Sequence, residues 1–300
     1  MKYFILGGTG LIGGHLVPFL LNQKSEVLAL VRRGSEKKLP AGAVPVFGSG
    51  LEPGDWQKKA ARCDVVINLL GKNIFCRWTR EAKDKILETR TLSTRLAVQA
   101  LSARETPGTF ICANAVGYYG HRGDKEISES DPPGDDFLAR VCIKWQQEAL
   151  KAETFGHRVV IPRFAAVLAP DGGALNKMLP AFRLGAGGRL GSGKQWFPWV
   201  HIRDLVRALS FLARSPETFG PYNICSPEPA TNSTFTRALT ESLGRQALLP
   251  VPGFMLRLVF GDMGNMLLNS QKCRPQRLQG HGFSFHYPGL KTALEDLLSS

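Results

Sequence analysis

The sequence predicts an α/β protein built on a doubly wound parallel sheet, with a small interwoven C-terminal region. Three observations predict it. Apolar strand-length runs alternate with helix-length amphipathic segments through the first half. A central run, Asp64-Val65-Val66-Ile67-Asn68-Leu69-Leu70, is almost continuously apolar, as in a strand buried on both faces. A glycine-rich loop joins the first strand to the first helix.

The elements follow in order. Lys2 to Leu6 reads as a short strand, Gly7 to Gly13 as a tight loop, and Leu11 to Asn22 as a helix through Leu16, Phe19 and Leu20. Glu26 to Val31 is a second strand and Asp64 to Leu70 a third or fourth. Arg80 to Ala103 carries Ile86, Leu92, Leu96 and Leu101 at helical spacing. Thr109 to Ala113 is the next strand, Phe137 to Glu153 a helix and Arg158 to Pro162 a further strand. From Ala169 the pattern loosens into Gly- and Pro-rich segments, with helices near Phe235–Leu243 and Leu290–Leu298. This divides the chain into a nucleotide-binding part at 1–168, its sheet completed from within 195–226, and a mainly substrate-side part at 169–300.

Composition narrows the function classes. The 300 residues are 43% hydrophobic and 21% charged, which excludes disordered, collagenous and coiled-coil chains. No apolar run reaches the ~18 residues of a membrane span. The N-terminus runs straight into the glycine loop, without space for a signal peptide, so a cytoplasmic protein with no membrane partner is expected. The net charge of +13 comes with no nucleic-acid-binding motif, and the basic residues are spread along the chain. A positive field that attracts a polyanionic cofactor is the functional reading of that surplus. The six cysteines include no CxxC pair, which argues for reduced core thiols and against a metal site.

The loop Gly7-Gly8-Thr9-Gly10-Leu11-Ile12-Gly13 carries the strongest chemical signal. Its glycines permit the sharp turn, let backbone approach a pyrophosphate and pack helix against strand, as in a Rossmann dinucleotide site. The helix N-terminus offers unpaired N–H groups to phosphate. The second strand ends in Val31-Arg32-Arg33-Gly34, with no acid before Glu36. Two guanidiniums suit a 2′-phosphate, so NADP is the expected cofactor.

Further segments extend the pattern: Asn68-Leu69-Leu70-Gly71-Lys72-Asn73-Ile74, Ala115-Val116-Gly117-Tyr118-Tyr119-Gly120, the glycine run 187–193, and Trp196-Phe197-Pro198-Trp199-Val200-His201-Ile202-Arg203-Asp204. With the glycine loop they resemble the extended branch of the short-chain dehydrogenase/reductase superfamily, specifically the atypical "epimerase family proteins" related to nucleoside-diphosphate-sugar epimerases. The tail resembles that group's small C-terminal domain. The resemblance implies that Leu69, Leu70 and Gly71 border the adenosine side of the cofactor, that Arg90 faces it, and that Val167 lies near the nicotinamide.

The catalytic set departs from the superfamily. Ordinary members use a Ser, a Tyr and a Lys four residues later, the Lys easing proton exchange by the phenol. Here the corresponding window is Arg140-Val141-Cys142-Ile143-Lys144, and Asn114 or Ala115 stands where the Ser belongs. Arginine cannot exchange a proton near neutral pH. Tyr118, with Lys144 as charge partner and Asn114 as orienting amide, is the substitute set, preferred over Tyr119. His201 and Asp204 are expected to shape the cleft edge and start a helix. Arg183 to Trp199 reads as a mobile flap whose Lys194, Trp196 and Phe197 could meet substrate. Two functions fit: an NADP-dependent oxidoreductase or epimerase acting on a small carbonyl or sugar-like substrate, or a non-catalytic NADP-binding sensor or docking protein. Related folds often pair helices such as 80–103 and 137–153, which leaves a homodimer open.

Overall fold

In the computed structural model, residues 1–245 and 250–299 are described. The first strand, β1 (Lys2–Leu6), lies at the centre of the sheet. Successive side chains of a strand face opposite sides, so Tyr3 and Ile5 enter one core while Phe4 and Leu6 enter the other. All four are fully buried. A strand apolar on both faces belongs inside a covered parallel sheet, and this is where the chain puts it.

The chain continues through α1 (Leu11–Asn22), β2 (Glu26–Val31), β3 (Val44–Phe47), α2 (Trp56–Ala60), β4 (Val65–Asn68) and α3 (Arg80–Ser102). Next come β5 (Thr109–Cys112), β6 (Asn114–Ala115), a 3-10 turn at Val116–Tyr119, β7 (Glu126–Ile127), α4 (Phe137–Leu150) and β8 (Arg158–Phe164). The remainder is β9 (Ala166–Ala169), α5 (Gly173–Arg183), β10 (Trp196–Phe197), β11 (Trp199–His201), α6 (Ile202–Arg214), β12 (Gly220–Ile224), β13 (Ala230–Thr231), α7 (Asn232–Ser242), α8 (Gly253–Phe260), α9 (Asp262–Leu268), β14 (Lys272–Cys273), α10 (Gln276–Gly280) and α11 (Leu290–Leu298). The main sheet runs β3-β2-β1-β4-β5-β8-β12, every neighbouring pair parallel, with β6 also on β8. Helices α1 and α6 pack together with one core, and α2, α3 and α4 with the other. This is the doubly wound Rossmann arrangement. The strand order reverses between β1 and β4, so the carboxyl ends of those strands open the binding crevice.

Several elements differ from the sequence expectation, each for a local reason. Of the two positions left open for the run at 64–70 it takes the fourth, because β3 precedes it. That run also ends at Asn68: its Oδ1 accepts the Leu70 N–H at 3.0 Å, and its Nδ2 donates to Ser93 and Thr94 on α3. The chain is thereby turned out of the sheet. Helix α4 stops at Leu150 and closes with a 3-10 turn (Lys151–Phe155) before Gly156, which has φ +76°. Helix α5 occupies the start of the loosened region, so the glycine-rich loop begins only after Arg183. Among the described residues no helix is long and apolar enough to cross a membrane.

Candidate functional site

Gly7 leaves β1 with φ +85°, a conformation that L side chains rarely adopt. The Gly10 N–H donates to the Gly7 carbonyl at 3.0 Å, closing the turn. Gly10 then caps α1 without any side chain, and no acid sits in the helix's first turn. The first-turn N–H groups therefore face the crevice with the positive end of the helix dipole. Gly13 is the tightest point: a Cβ there would stand 2.3 Å from the Gly7 carbonyl oxygen.

The other expected cofactor contacts converge on this turn. A Cβ at Gly7 would meet the Leu69 carbonyl carbon at 3.1 Å, so the end of β4 lies against the loop. Arg90 folds over the next turn, its guanidinium donating to the carbonyls of Lys72 and Ile86 and lying 5.2 Å from the Trp145 ring centre. The space a Gly71 Cβ would take is 3.0 Å from Arg90 Cζ. Leu11 packs on Gly172 and Gly173, and Gly173 also abuts the Val167 carbonyl. Thr9, Leu11, Ile12, Leu69, Leu70 and Val167 are all half-buried. Arg32 and Arg33 leave β2 exposed, and neither makes an ion pair among the described residues. Arg33 lies over the Phe47 ring at 5.5 Å. Uncapped N–H groups, glycines at the contact points and two exposed guanidiniums without a carboxylate partner among the described residues fit a phosphate-bearing dinucleotide.

The expected catalytic set is brought together only in part. Tyr118 and Tyr119 sit in the 3-10 turn, their rings edge to face at 5.3 Å. The Tyr119 hydroxyl is locked, donating to Asn223 Oδ1 at 2.7 Å and accepting from Arg163 at 2.8 Å, and burial raises its pKa above the ordinary phenol value. Tyr118 is half-buried and its hydroxyl makes no hydrogen bond among the described residues. The Asn114 amide is committed to the Cys142 carbonyl at 3.0 Å, tying β6 to α4. Arg140 and Lys144 lie exposed one turn apart on α4, and the Arg140 guanidinium bonds the Asp135 carbonyl. Trp196 and Phe197 are engaged elsewhere, Trp196 with Asp124 and Phe197 against Phe235. Lys194 lines a recess of about 250 Å³ with His121, Asp124 and Ser270.

One residue escaped the sequence reading. Arg163, at the end of β8, is 2% exposed, with its Cζ 3.6 Å from the Tyr118 ring centre. Its guanidinium also bonds Gln146 at 3.0 Å, while Nε has no partner among the described residues. The signal was a charge directly after the apolar run 159–162, since an arginine seldom goes inside without dedicated partners.

The aromatic run before α6 has a structural task. His201 caps α6 by accepting the Arg203 N–H at 3.1 Å, and Asp204 accepts the N–H groups of His286 and Tyr287, pinning the C-terminal segment. Burial holds the His201 imidazole down to about 4, against the opposing pull of Asp296 and Asp204. An unfolded histidine takes up its proton near pH 6.5. The stability tied to neutral His201 is thus complete above about 6.5 and is lost as the pH falls towards 4. Between about pH 7 and pH 5 the wild type should lose about 2 kcal/mol more than a His201→Asn variant. Urea unfolding at both pH values measures this, and parallel losses would refute it.

Residues 3–225 match the NAD dependent epimerase/dehydratase family. The chain belongs to that family. Residues 251–297 match a domain of unknown function, DUF1731. An epimerase family protein of Staphylococcus haemolyticus is 36% identical over 305 residues, covering 100% of both chains. The human epimerase family protein SDR39U1 (isoform 2), solved with NADPH, is 32% identical with a TM-score of 0.87, covering 100% of this chain and 99% of that one. A nucleoside-diphosphate sugar epimerase from Corynebacterium glutamicum is 29% identical with a TM-score of 0.80, covering 99% of this chain and 58% of that one. The motif-based resemblance to epimerase family proteins therefore stands.

Proposed function

We propose that this epimerase-family chain binds NADP(H) and acts in the cytoplasm as an oxidoreductase or epimerase-like enzyme on a small carbonyl or sugar-like substrate. The observation that carries the cofactor reading is Arg32-Arg33, exposed just beyond β2 and without an ion pair among the described residues. The NADPH in the human relative supports it. The N–H groups opening α1 would hold the pyrophosphate, the two arginines the 2′-phosphate, and Leu69, Leu70 and Gly71 the adenosine side. A bound nicotinamide supplies hydride chemistry. The chain's part is to orient both reactants and to move a proton, and Tyr118 is the phenol left free to do so.

A fluorescence titration tests the cofactor assignment. Charge-assisted bonds contribute about 1.5–3 kcal/mol each, so Arg32→Gln with Arg33→Gln should weaken NADPH on the order of 100-fold while leaving NADH nearly unchanged. Equal weakening of both cofactors would sink the 2′-phosphate assignment.

A second reading is a non-catalytic NADP-binding sensor or docking protein. The place of the family phenol favours it: Arg140 stands there, exposed and bonded to a backbone carbonyl.

A further inference from the structure

Helix α8 is the least protected apolar element among the described residues. Six of its eight residues are large and apolar, yet only Leu256 is buried, packed where Gly264 of α9 gives it room. Phe254 is 67% exposed, Leu258 77%, Val259 58% and Met255 45%. Residues three and four apart share a helix face, so the pairs Phe254–Leu258, Met255–Leu258 and Met255–Val259 join these four in one continuous apolar strip. Exposed apolar patches of this kind mark interaction sites.

Charge identifies the occupant. No Asp or Glu occurs from 242 to 261, and none from 172 to 203, a stretch that carries Lys177, Arg183, Arg189, Lys194 and Arg203. The fold joins the two acid-free segments: the Val251 N–H donates to the Arg189 carbonyl, and the Gly191 N–H to the Val251 carbonyl, both at 2.8 Å. Leu184, 84% exposed, stands at the head of the same loop. Arg189 and Arg257 are exposed on these two segments, Arg189 donating to the Ser192 carbonyl and Arg257 to Asn265 Oδ1. A second copy is a poor occupant, because a two-fold interface would pair this basic, acid-free face with itself.

We infer that α8 and the adjoining 184–191 loop dock on an anionic lipid bilayer, the apolar strip entering the interface and Arg189 and Arg257 meeting headgroup phosphates. Basic amphipathic helices bind membranes in this way without spanning them. The expectation of no membrane partner rested on the missing span, which a helix lying in the interface does not need.

Vesicle co-sedimentation of the full chain tests the inference, using phosphatidylcholine vesicles with and without about 30% phosphatidylserine. The chain should bind the anionic vesicles at least tenfold better than the neutral ones, and salt should release it. Phe254→Asp with Leu258→Asp should lower binding at least tenfold, with the circular dichroism spectrum and melting temperature unchanged. Should that variant misfold, Arg189→Gln with Arg257→Gln must abolish the preference for phosphatidylserine. Absence of binding by the wild type, or undiminished binding by the folded variants, overturns the proposal. Self-association lost in the apolar variant without vesicle binding would assign the strip to a second copy. Capture of an acidic peptide without vesicle binding would assign it to a protein partner.

Discussion

Gly13→Ala should abolish cofactor binding and destabilise the fold by about 3 kcal/mol or more, although it adds a single methyl group. The added Cβ would lie 2.3 Å from the Gly7 carbonyl oxygen and 2.6 Å from Gly8 Cα. Both are backbone atoms of the turn that must receive the phosphates, so no side chain can swing aside. Relief requires α1 to retreat from the loop, which separates the helix N-terminus from the bound anion and breaks the packing of Leu16 and Leu20 on the sheet. Gly14 provides the control, since it lies one residue on in the same helix with nothing within 4 Å of its would-be Cβ. Gly14→Ala should leave NADPH binding intact and gain a few tenths to about 1 kcal/mol from helix propensity. Urea unfolding and NADPH titration of the two variants side by side decide it. Similar behaviour of both would mean that the close approach at Gly13 carries no weight.

That contrast also marks what a sequence discloses. Gly13 was legible because its spacing from Gly7 and Gly10 encodes a local turn, and β1, α1 and β2 lie at the residues their periodicity predicts. Elements fail to show where local pattern and environment part company. Strand β3 is Val44-Pro45-Val46-Phe47 at the sheet edge, a four-residue run with only Val46 buried, and its proline reads against a strand. Helix α5 opens on Gly172-Gly173 and contains Pro180, and so reads as loop. The cofactor crevice is built from short-range turns and is largely written in the sequence. The cluster under Tyr118 is not. Its parts are brought together by the sheet, Tyr119 lying 44 residues from Arg163 and 104 from Asn223. The acid-free segments at 172–203 and 242–261 are plain in the sequence, but only the pairing of Leu190 with Val251 makes them one surface.

Tyr118→Phe is expected to lower any NADPH-dependent turnover by about 100- to 10,000-fold, the usual worth of a positioned proton donor, while leaving cofactor affinity and stability within experimental error. Of the two adjacent phenols, Tyr118 has the hydroxyl without a partner among the described residues. Tyr119 cannot serve, because its oxygen both donates to Asn223 and accepts from Arg163 within the core, and burial opposes its ionisation. The neighbouring Tyr118 keeps its hydroxyl out of that network. Its ring lies on the Arg163 guanidinium at 3.6 Å, a contact that Phe preserves because cation–π attraction needs only the ring face. The variant therefore deletes one oxygen and leaves its platform in place. NADPH oxidation across a panel of small carbonyl compounds and nucleoside-diphosphate sugars provides the measurement. Turnover that survives in Tyr118→Phe would remove Tyr118 from the chemistry and leave the enzyme reading standing with another proton source, Lys144 first among them. No turnover in the wild type, with NADPH still bound, would favour the sensor reading, and Arg140 in the phenol's place would then mark a site from which the proton relay has been lost.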